Sequence, residues 1–122
     1  ASNNDLDMLS ELKTAALLLK AVSQDPTSTP APTALKMATL NGAKALGLDH
    51  LVGSLEPGKQ ADMIAIDLGD YLAQPIYNPL SQLAYATTRN QVSDVWVNGK
   101  HLLKNRKLTR FQHQPTKASV QA

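Results

Sequence analysis

The spacing of apolar residues changes at Leu48, and this change divides the chain into a helical part and an extended part. Before Leu48, apolar residues recur every three or four positions, the period of one face of an α-helix. After it, short apolar runs alternate with Pro-Gly and Asn-Gly pairs, which are typical of turns between strands. The sequence therefore predicts an α/β chain in which helices come first.

The first helix is predicted over residues 5–23. Its main stripe consists of Leu6, Leu9, Leu12, Ala16 and Leu19. Further apolar side chains widen this stripe: Met8, Ala15, Leu18 and Val22. We therefore expect the helix to be buried on more than one side, with Asn4 or Asp5 as its N-cap.

A second helix is predicted from Thr33 to Leu46, after a loop over residues 25–32 that contains three prolines. Thr33 is the expected N-cap, and Gly47 is the expected left-handed residue at its end. Its buried stripe consists of Leu35, Ala38, Gly42, Ala45 and Leu46. Because these side chains are mostly small, we expect close packing on a large body outside this sequence.

Turn residues organise the second half. Pro57-Gly58 predicts a type II turn with a positive φ at the glycine. The apolar run over residues 61–67 predicts a strand covered on both faces, and Leu80–Thr87 predicts a short helix. Asn98-Gly99 between apolar runs predicts a hairpin over residues 92–103.

Composition excludes several classes of function. Twelve Lys and Arg residues against ten Asp and Glu residues do not indicate a nucleic-acid partner. The basic residues from Lys100 to Arg110 are interpreted as a solvated edge strand and tail. There is no cysteine for a disulfide or a thiolate metal site, and no signal peptide or long apolar run for a membrane. We predict a cytoplasmic protein.

No side chains in the sequence have the spacing of a catalytic or metal site. The histidines (His50, His101 and His113) lack the spacing of a metal-binding pair, so no metal ligand is expected among them. Glu56, Lys59 and Asp62 flank a Pro-Gly turn, where charges are usually solvated or paired locally. Trp96 alternates with two valines and is interpreted as a packing residue.

Four stretches in this order resemble one family: residues 2–8, 38–48, 53–62 and 95–100. They are similar to the C-terminal part of metal-dependent amidohydrolases, most of all the methylthioadenosine/S-adenosylhomocysteine deaminases. The resemblance implies a (β/α)₈ barrel with a small β-sandwich. A barrel needs about 200 residues or more, so the barrel itself is absent from this chain. Residues 1–50 would be the last barrel-side helices with a Pro-rich loop, 51–111 the C-terminal share of the sandwich, and 112–122 a polar tail.

The resemblance also implies an activity: hydrolytic deamination of an adenine-type nucleoside, such as methylthioadenosine or S-adenosylhomocysteine. The parent enzyme would use zinc or another divalent metal. The family's metal ligands are an HxH pair, later histidines, and an aspartate just before the segment that matches Ser2, so no catalytic or metal residue is expected in this chain. Ser2, Asn3 and Asn4 are the substrate-binding candidates, and helix capping is the alternative role for Asn3 and Asn4.

The expected partners are the N-terminal barrel portion of the same enzyme and a small-molecule nucleoside, with no nucleic acid and no membrane. The chain enters helical pattern almost at once after Ala1, which predicts that it was cut from something longer. The alternative is a non-catalytic module or proteolytic fragment that completes a separate barrel. Self-association into a homo-oligomer and an independent β-rich domain also remain open.

Overall fold

The structure is a computed structural model that describes residues 4–110 of the chain. Ser2, Asn3, His113 and the 112–122 tail lie outside the described residues. The helices are α1 (Met8–Ser23), α2 (Ala31–Lys36), α3 (Gly42–Ala45) and α4 (Pro79–Tyr85). The strands are β1 (Met63–Ile66), β2 (Val92–Val97), β3 (Lys100–Lys104) and β4 (Lys107–Leu108). The mixed helix and strand content agrees with the prediction, and α4 confirms the short helix predicted over Leu80–Thr87.

Helix α1 begins at a later residue than the sequence pattern predicted. Asp7 has an extended backbone, and its Oδ1 accepts hydrogen bonds from the N–H groups of Leu9 and Ser10 at 3.0 and 3.2 Å. These bonds pair two of the donors that a helix leaves unsatisfied at its first turn. The predicted caps, Asn4 and Asp5, are therefore wrong.

Helix α1 is buried along a narrower face than predicted. Leu12 and Ala16 are its buried residues, whereas the side chains of Leu18 and Val22 are 58% and 74% exposed. Within residues 4–110 the expectation of burial on more than one side is wrong, because no described element packs over the outer face.

The second helical run continues from Ala31 to Ala45, with a π-helical segment, Met37–Asn41, between α2 and α3. The N-cap position of α2 is occupied by Pro30, which forms no side-chain capping hydrogen bond. The predicted N-cap, Thr33, is therefore wrong. Thr39, in the middle of the π segment, donates its hydroxyl to the Leu35 carbonyl of α2 at 2.8 Å. Gly47 has a φ of 70°, which confirms it as the left-handed residue after the helix.

The buried face of this helical run differs from the predicted stripe. Ala31, Ala34 and Ala43 are buried, whereas Ala45 and Leu46 are exposed. Gly53 lies against the same run: a Cβ built on it would be 2.7 Å from the Ala43 Cβ. At Ala43 the close neighbour is thus the chain's own Gly53, and packing of this helix on a body outside the sequence stays a prediction.

Small side chains form most of the helical core. Its buried members are Leu12, Ala16, Ala31, Ala34 and Ala84. In the described part of the chain no large side chain is completely buried. Alanines bury little apolar area, so this core stabilises the helical layer only modestly.

The four strands form one antiparallel sheet in the order β1-β2-β3-β4. Asn98 and Gly99 both have positive φ, which a type I′ hairpin turn requires, and the predicted hairpin is confirmed. A second turn at Asn105 and Arg106, both with positive φ, was not predicted because it contains no glycine.

The two outer strands differ in their side chains. The basic residues on and beside β4 are exposed, which confirms the predicted solvated edge: Lys100, Lys104, Arg106, Lys107 and Arg110. On β1, Met63 is 37% and Ile64 is 50% exposed. Because adjacent strand residues point to opposite faces of a sheet, neither face of β1 is fully covered in the described chain, and the predicted coverage of both faces is wrong there.

Candidate functional site

The segment before α1 contains the described member of the predicted substrate-binding set. Asn4 is exposed and lies three residues before the helix cap Asp7. Because Asp7 caps the helix, the capping role considered for Asn4 is wrong. Substrate contact by Asn4 stays a prediction, as does substrate contact by Ser2 and Asn3.

Arg89 contacts this segment from a distant part of the sequence. Its Nη1 is in close contact with Oδ1 of Asp5, and its Nε lies 3.9 Å from Oδ2 of Asp7. Sequence reasoning missed Arg89, because 84 positions separate it from Asp5 and no motif contains both.

Glu56 and Lys59, beside the Pro57-Gly58 turn, are paired locally as predicted, whereas Asp62 is not. The Lys59 ammonium donates to Ser54 Oγ at 2.7 Å and lies 3.4 Å from the Glu56 carboxylate. Asp62 accepts a hydrogen bond from the Asn98 N–H at 2.6 Å. Asp62 thereby connects this segment to the hairpin turn, which is a structural role.

A polar and aromatic cluster occupies one face of the hairpin. Trp96 and His101 are partners in the β2–β3 register, and their rings stack with centroids 4.3 Å apart. Asp94 lies two residues before Trp96, and its Oδ1 is 2.8 Å from His101 Nε2. The same oxygen accepts the Asn105 N–H at 3.3 Å, so Asp94 connects β2 to His101 of β3 and to the turn after β3.

Hydrogen bonding lowers the pKa of the Asp94 carboxyl below its ordinary value of 3.8. The main cause is the Ser93 side chain, and the His101 contact and the Asn105 N–H also contribute. Each of these interactions favours the ionised carboxylate. The carboxylate is therefore charged at neutral pH in the folded hairpin.

We expect acid to weaken this hairpin through Asp94. Because the folded-state pKa lies below the unfolded one, ionised Asp94 stabilises the fold above pH 3.8, and this contribution is lost as the pH falls through the folded-state pKa. The chain's single tryptophan, Trp96, reports hairpin unfolding by fluorescence. In urea titrations, Asp94→Asn should unfold at a lower urea concentration than wild type at neutral pH, and the gap should narrow as the pH falls below 3.8. A constant gap across this range would contradict the assignment.

The described residues do not provide a metal site. Within residues 4–110 no three His, Cys, Asp or Glu side chains are grouped so that they could hold a metal ion. His50 lies in a turn, and His101 is engaged with Asp94. Nor does any helix in the same range have the length and apolar character needed to cross a membrane.

The chain is similar to known enzymes over most of its length. The model of the amidohydrolase family matches residues 1–102. A 5-methylthioadenosine/S-adenosylhomocysteine deaminase from Teredinibacter turnerae is 52% identical over 120 residues, which is 98% of this chain and 27% of the relative. A second protein of that name, number 1 from Syntrophus aciditrophicus, is 45% identical over 93% of this chain and 26% of its own length.

Solved structures show the same relationship. An adenosine deaminase from Xanthomonas campestris, with bound zinc, superposes with a TM-score of 0.94 at 50% identity, covering 99% of this chain and 28% of its own. The atrazine chlorohydrolase TrzN from Arthrobacter aurescens TC1, complexed with zinc, superposes with a TM-score of 0.79 at 27% identity, covering 93% and 25%. The chain thus spans about a quarter of the length of the relatives that it matches.

Proposed function

Because this chain belongs to the amidohydrolase family, we propose that it is the C-terminal part of a metal-dependent enzyme that hydrolytically deaminates an adenine-type nucleoside. Methylthioadenosine and S-adenosylhomocysteine are the proposed substrates. The deaminase relatives support this class, because their identity to the chain is much higher than that of the triazine-hydrolysing neighbour. The acid, amide and hydroxyl residues that select the substrate would lie mainly outside the chain.

The observation that carries the proposal of a larger parent enzyme is an alanine-rich helical core together with many exposed large apolar side chains. Large apolar side chains are exposed on α1, on β1 and in the segment between β1 and α4; they include Leu18, Val22, Ile64, Tyr71 and Tyr77. So many exposed large apolar side chains are unusual for a complete small domain and are expected where another part of a protein covers them. We propose that the remaining three quarters of the enzyme, including the barrel, cover them.

The domain division follows the same reasoning. Residues 1–50 would be the last barrel-side helices and their Pro-rich loop, and residues 51–111 would be the C-terminal share of a small sandwich. Residues 112–122 would form the polar tail. In this arrangement, β1 has one open edge at which strands from the start of the parent chain would pair.

The proposed metal does not fit the described residues. A zinc site needs about three or four converging ligands, and residues 4–110 contain no such group. The ligands for zinc, or for another divalent metal, would therefore come from elsewhere in the enzyme. We assign no catalytic step to residues 4–110.

A substrate screen on the full-length protein tests the proposal. Ammonia release should accompany conversion of methylthioadenosine, S-adenosylhomocysteine or adenosine to the corresponding inosine-type product. Guanine and a triazine serve as competing substrates, because related proteins act on them. If the enzyme turned over only guanine or only the triazine, that substrate class would replace the adenine-type assignment. If it turned over none of the tested compounds, the proposed activity would be refuted.

The 122-residue chain is the control for the screen. We expect it to bind no stoichiometric metal and to turn over no nucleoside, as verified by intact mass and metal analysis of one sample. Zinc bound to a species of 13.1 kDa would contradict the proposal. Restoration of activity when this chain is mixed with a separately expressed barrel would instead support the alternative of a partner module.

A further inference from the structure

Arg89 faces two carboxylates that lie on one short segment of the chain. Its guanidinium contacts Asp5 through Nη1 and approaches Asp7 through Nε at 3.9 Å. The guanidinium is a planar group with five N–H donors, so it can serve two carboxylates at once. Arg89 thus joins both ends of residues 5–7 to the part of the fold that carries the sheet.

The two carboxylate oxygens of Asp7 have different partners. Oδ1 caps α1 through the Leu9 and Ser10 N–H groups, and Oδ2 faces Arg89. The Asp7 side chain is only 12% exposed, so its charge is partly shielded from water. A cation beside Oδ2 therefore holds the carboxylate in the orientation that caps the helix.

Arg89 lies at the start of a turn that hydrogen bonds connect to the neighbouring elements. It begins the 3₁₀ turn Arg89–Gln91, in which the Thr88 N–H donates to the Gln91 side chain at 2.9 Å. The Gln91 carbonyl accepts the Asp67 N–H at 2.8 Å, just after β1. On the other side, the buried Thr87 hydroxyl donates to the Gln82 carbonyl in α4 at 3.0 Å.

We propose that Arg89 is a positioning residue, which holds the substrate-facing segment before α1 through Asp5 and Asp7. Asn4 directly precedes Asp5, so its placement relative to the sheet depends on this contact. The inference rests on the proposed function, in which Asn4 is a substrate-binding candidate. It adds a residue 85 positions away that touches no substrate and sets where that segment lies.

The expected effect is on catalysis more than on stability. The side chains of Arg89 and Asp5 are 58% and 51% exposed, and exposed ion pairs contribute little to folding. A small displacement of a substrate-contacting group, in contrast, can weaken substrate binding and so lower kcat/KM strongly. We expect Arg89→Ala to lower kcat/KM for the nucleoside about tenfold or more, mostly through KM, with little change in Tm.

The test uses the full-length protein with three variants at the contact and one control. Arg89→Ala removes the guanidinium, Arg89→Lys keeps the charge without the fork, and Arg89→Asp with Asp5→Arg exchanges the two charges. Arg110→Ala is the control, because Arg110 is an exposed arginine in the basic segment. Amide hydrogen exchange of a peptide that spans residues 4–12 is measured beside KM and kcat.

The two readouts separate the possible failures. The proposal is supported if amide exchange is faster and KM is higher in Arg89→Ala, and if Arg89→Lys shows smaller changes of the same kind. The charge-exchange variant should recover part of the wild-type exchange and KM, and Arg110→Ala should behave like wild type. Unchanged exchange in Arg89→Ala overturns the contact, and unchanged kinetics in an active enzyme overturn the positioning role. A wild-type protein that deaminates no nucleoside refutes the proposed function and this substrate role with it, while exchange still decides whether Arg89 holds the segment.

Discussion

Gly53→Ala is expected to destabilise the fold by about 2–5 kcal/mol, the largest effect of any conservative substitution considered for this chain. Gly53 has a φ of 96°, and an L-residue in the left-handed region costs about 1–2 kcal/mol. The added Cβ would also lie 2.7 Å from the Ala43 Cβ and 3.1 Å from the Leu40 Cα. Since Leu40 Cα is backbone, relief requires movement of the helix, and overpacking of this kind costs about 1–3 kcal/mol.

Gly58→Ala is the matched control for this prediction. Gly58 has a φ of 92°, almost the same as Gly53, but a Cβ there would meet nothing within 4 Å. The Gly58→Ala variant should therefore lose only the free energy that the positive φ costs an alanine, without the cost of overpacking. Urea unfolding of the chain, followed by circular dichroism, measures both variants, and equal losses would show that the contact of Gly53 with the helix contributes nothing.

Leu12→Ala is expected to cost about 2–3 kcal/mol, at the lower end of the range for buried leucines. Leu12 is 4% exposed and is the one large side chain in the buried helical cluster. Ala16, Ala31 and Ala84, on α1, α2 and α4, belong to the same cluster. Truncation of Leu12 would therefore remove the one large side chain in the core that these three helices share. An open groove that Leu12 lines together with Met8 and Met37 allows partial collapse and limits the loss.

Leu18→Ala, on the same helix, is the control for Leu12. Its side chain is 58% exposed, so in the 122-residue chain the substitution should change the free energy of unfolding by less than about 0.5 kcal/mol. In the full-length protein the same change should cost more, because we propose that other parts of the enzyme cover this face. Equal costs for Leu12 and Leu18 in the isolated chain would contradict the observed packing of α1.

The sequence also predicted several contacts that depend on few residues. Lys59 and Glu56 were expected to pair locally at the Pro-Gly turn, and their charged atoms lie 3.4 Å apart. The family resemblance in residues 53–62 and 95–100 agrees with the match to the amidohydrolase family. These features could be predicted from the sequence because each one depends only on residues within one short stretch.

Helix faces were harder to predict than helix positions. An apolar stripe shows that a face is suited to burial, but not which partner buries it. Leu18 and Ile64 belong to apolar patterns and are nonetheless half exposed in the described chain. Under the proposal above, other parts of the enzyme would cover these side chains, which the described residues leave exposed.

The sequence by itself determined the order of helices and strands, the left-handed residues Gly47, Gly58 and Gly99, and the family. These follow from local periodicity and from φ values that favour glycine. The tertiary structure alone decided that Gly53 lies on Ala43 and that Arg89 reaches Asp5 across 84 positions. Such contacts depend on how the helical layer is placed against the sheet, and the spacing of residues along one segment carries no information about that placement.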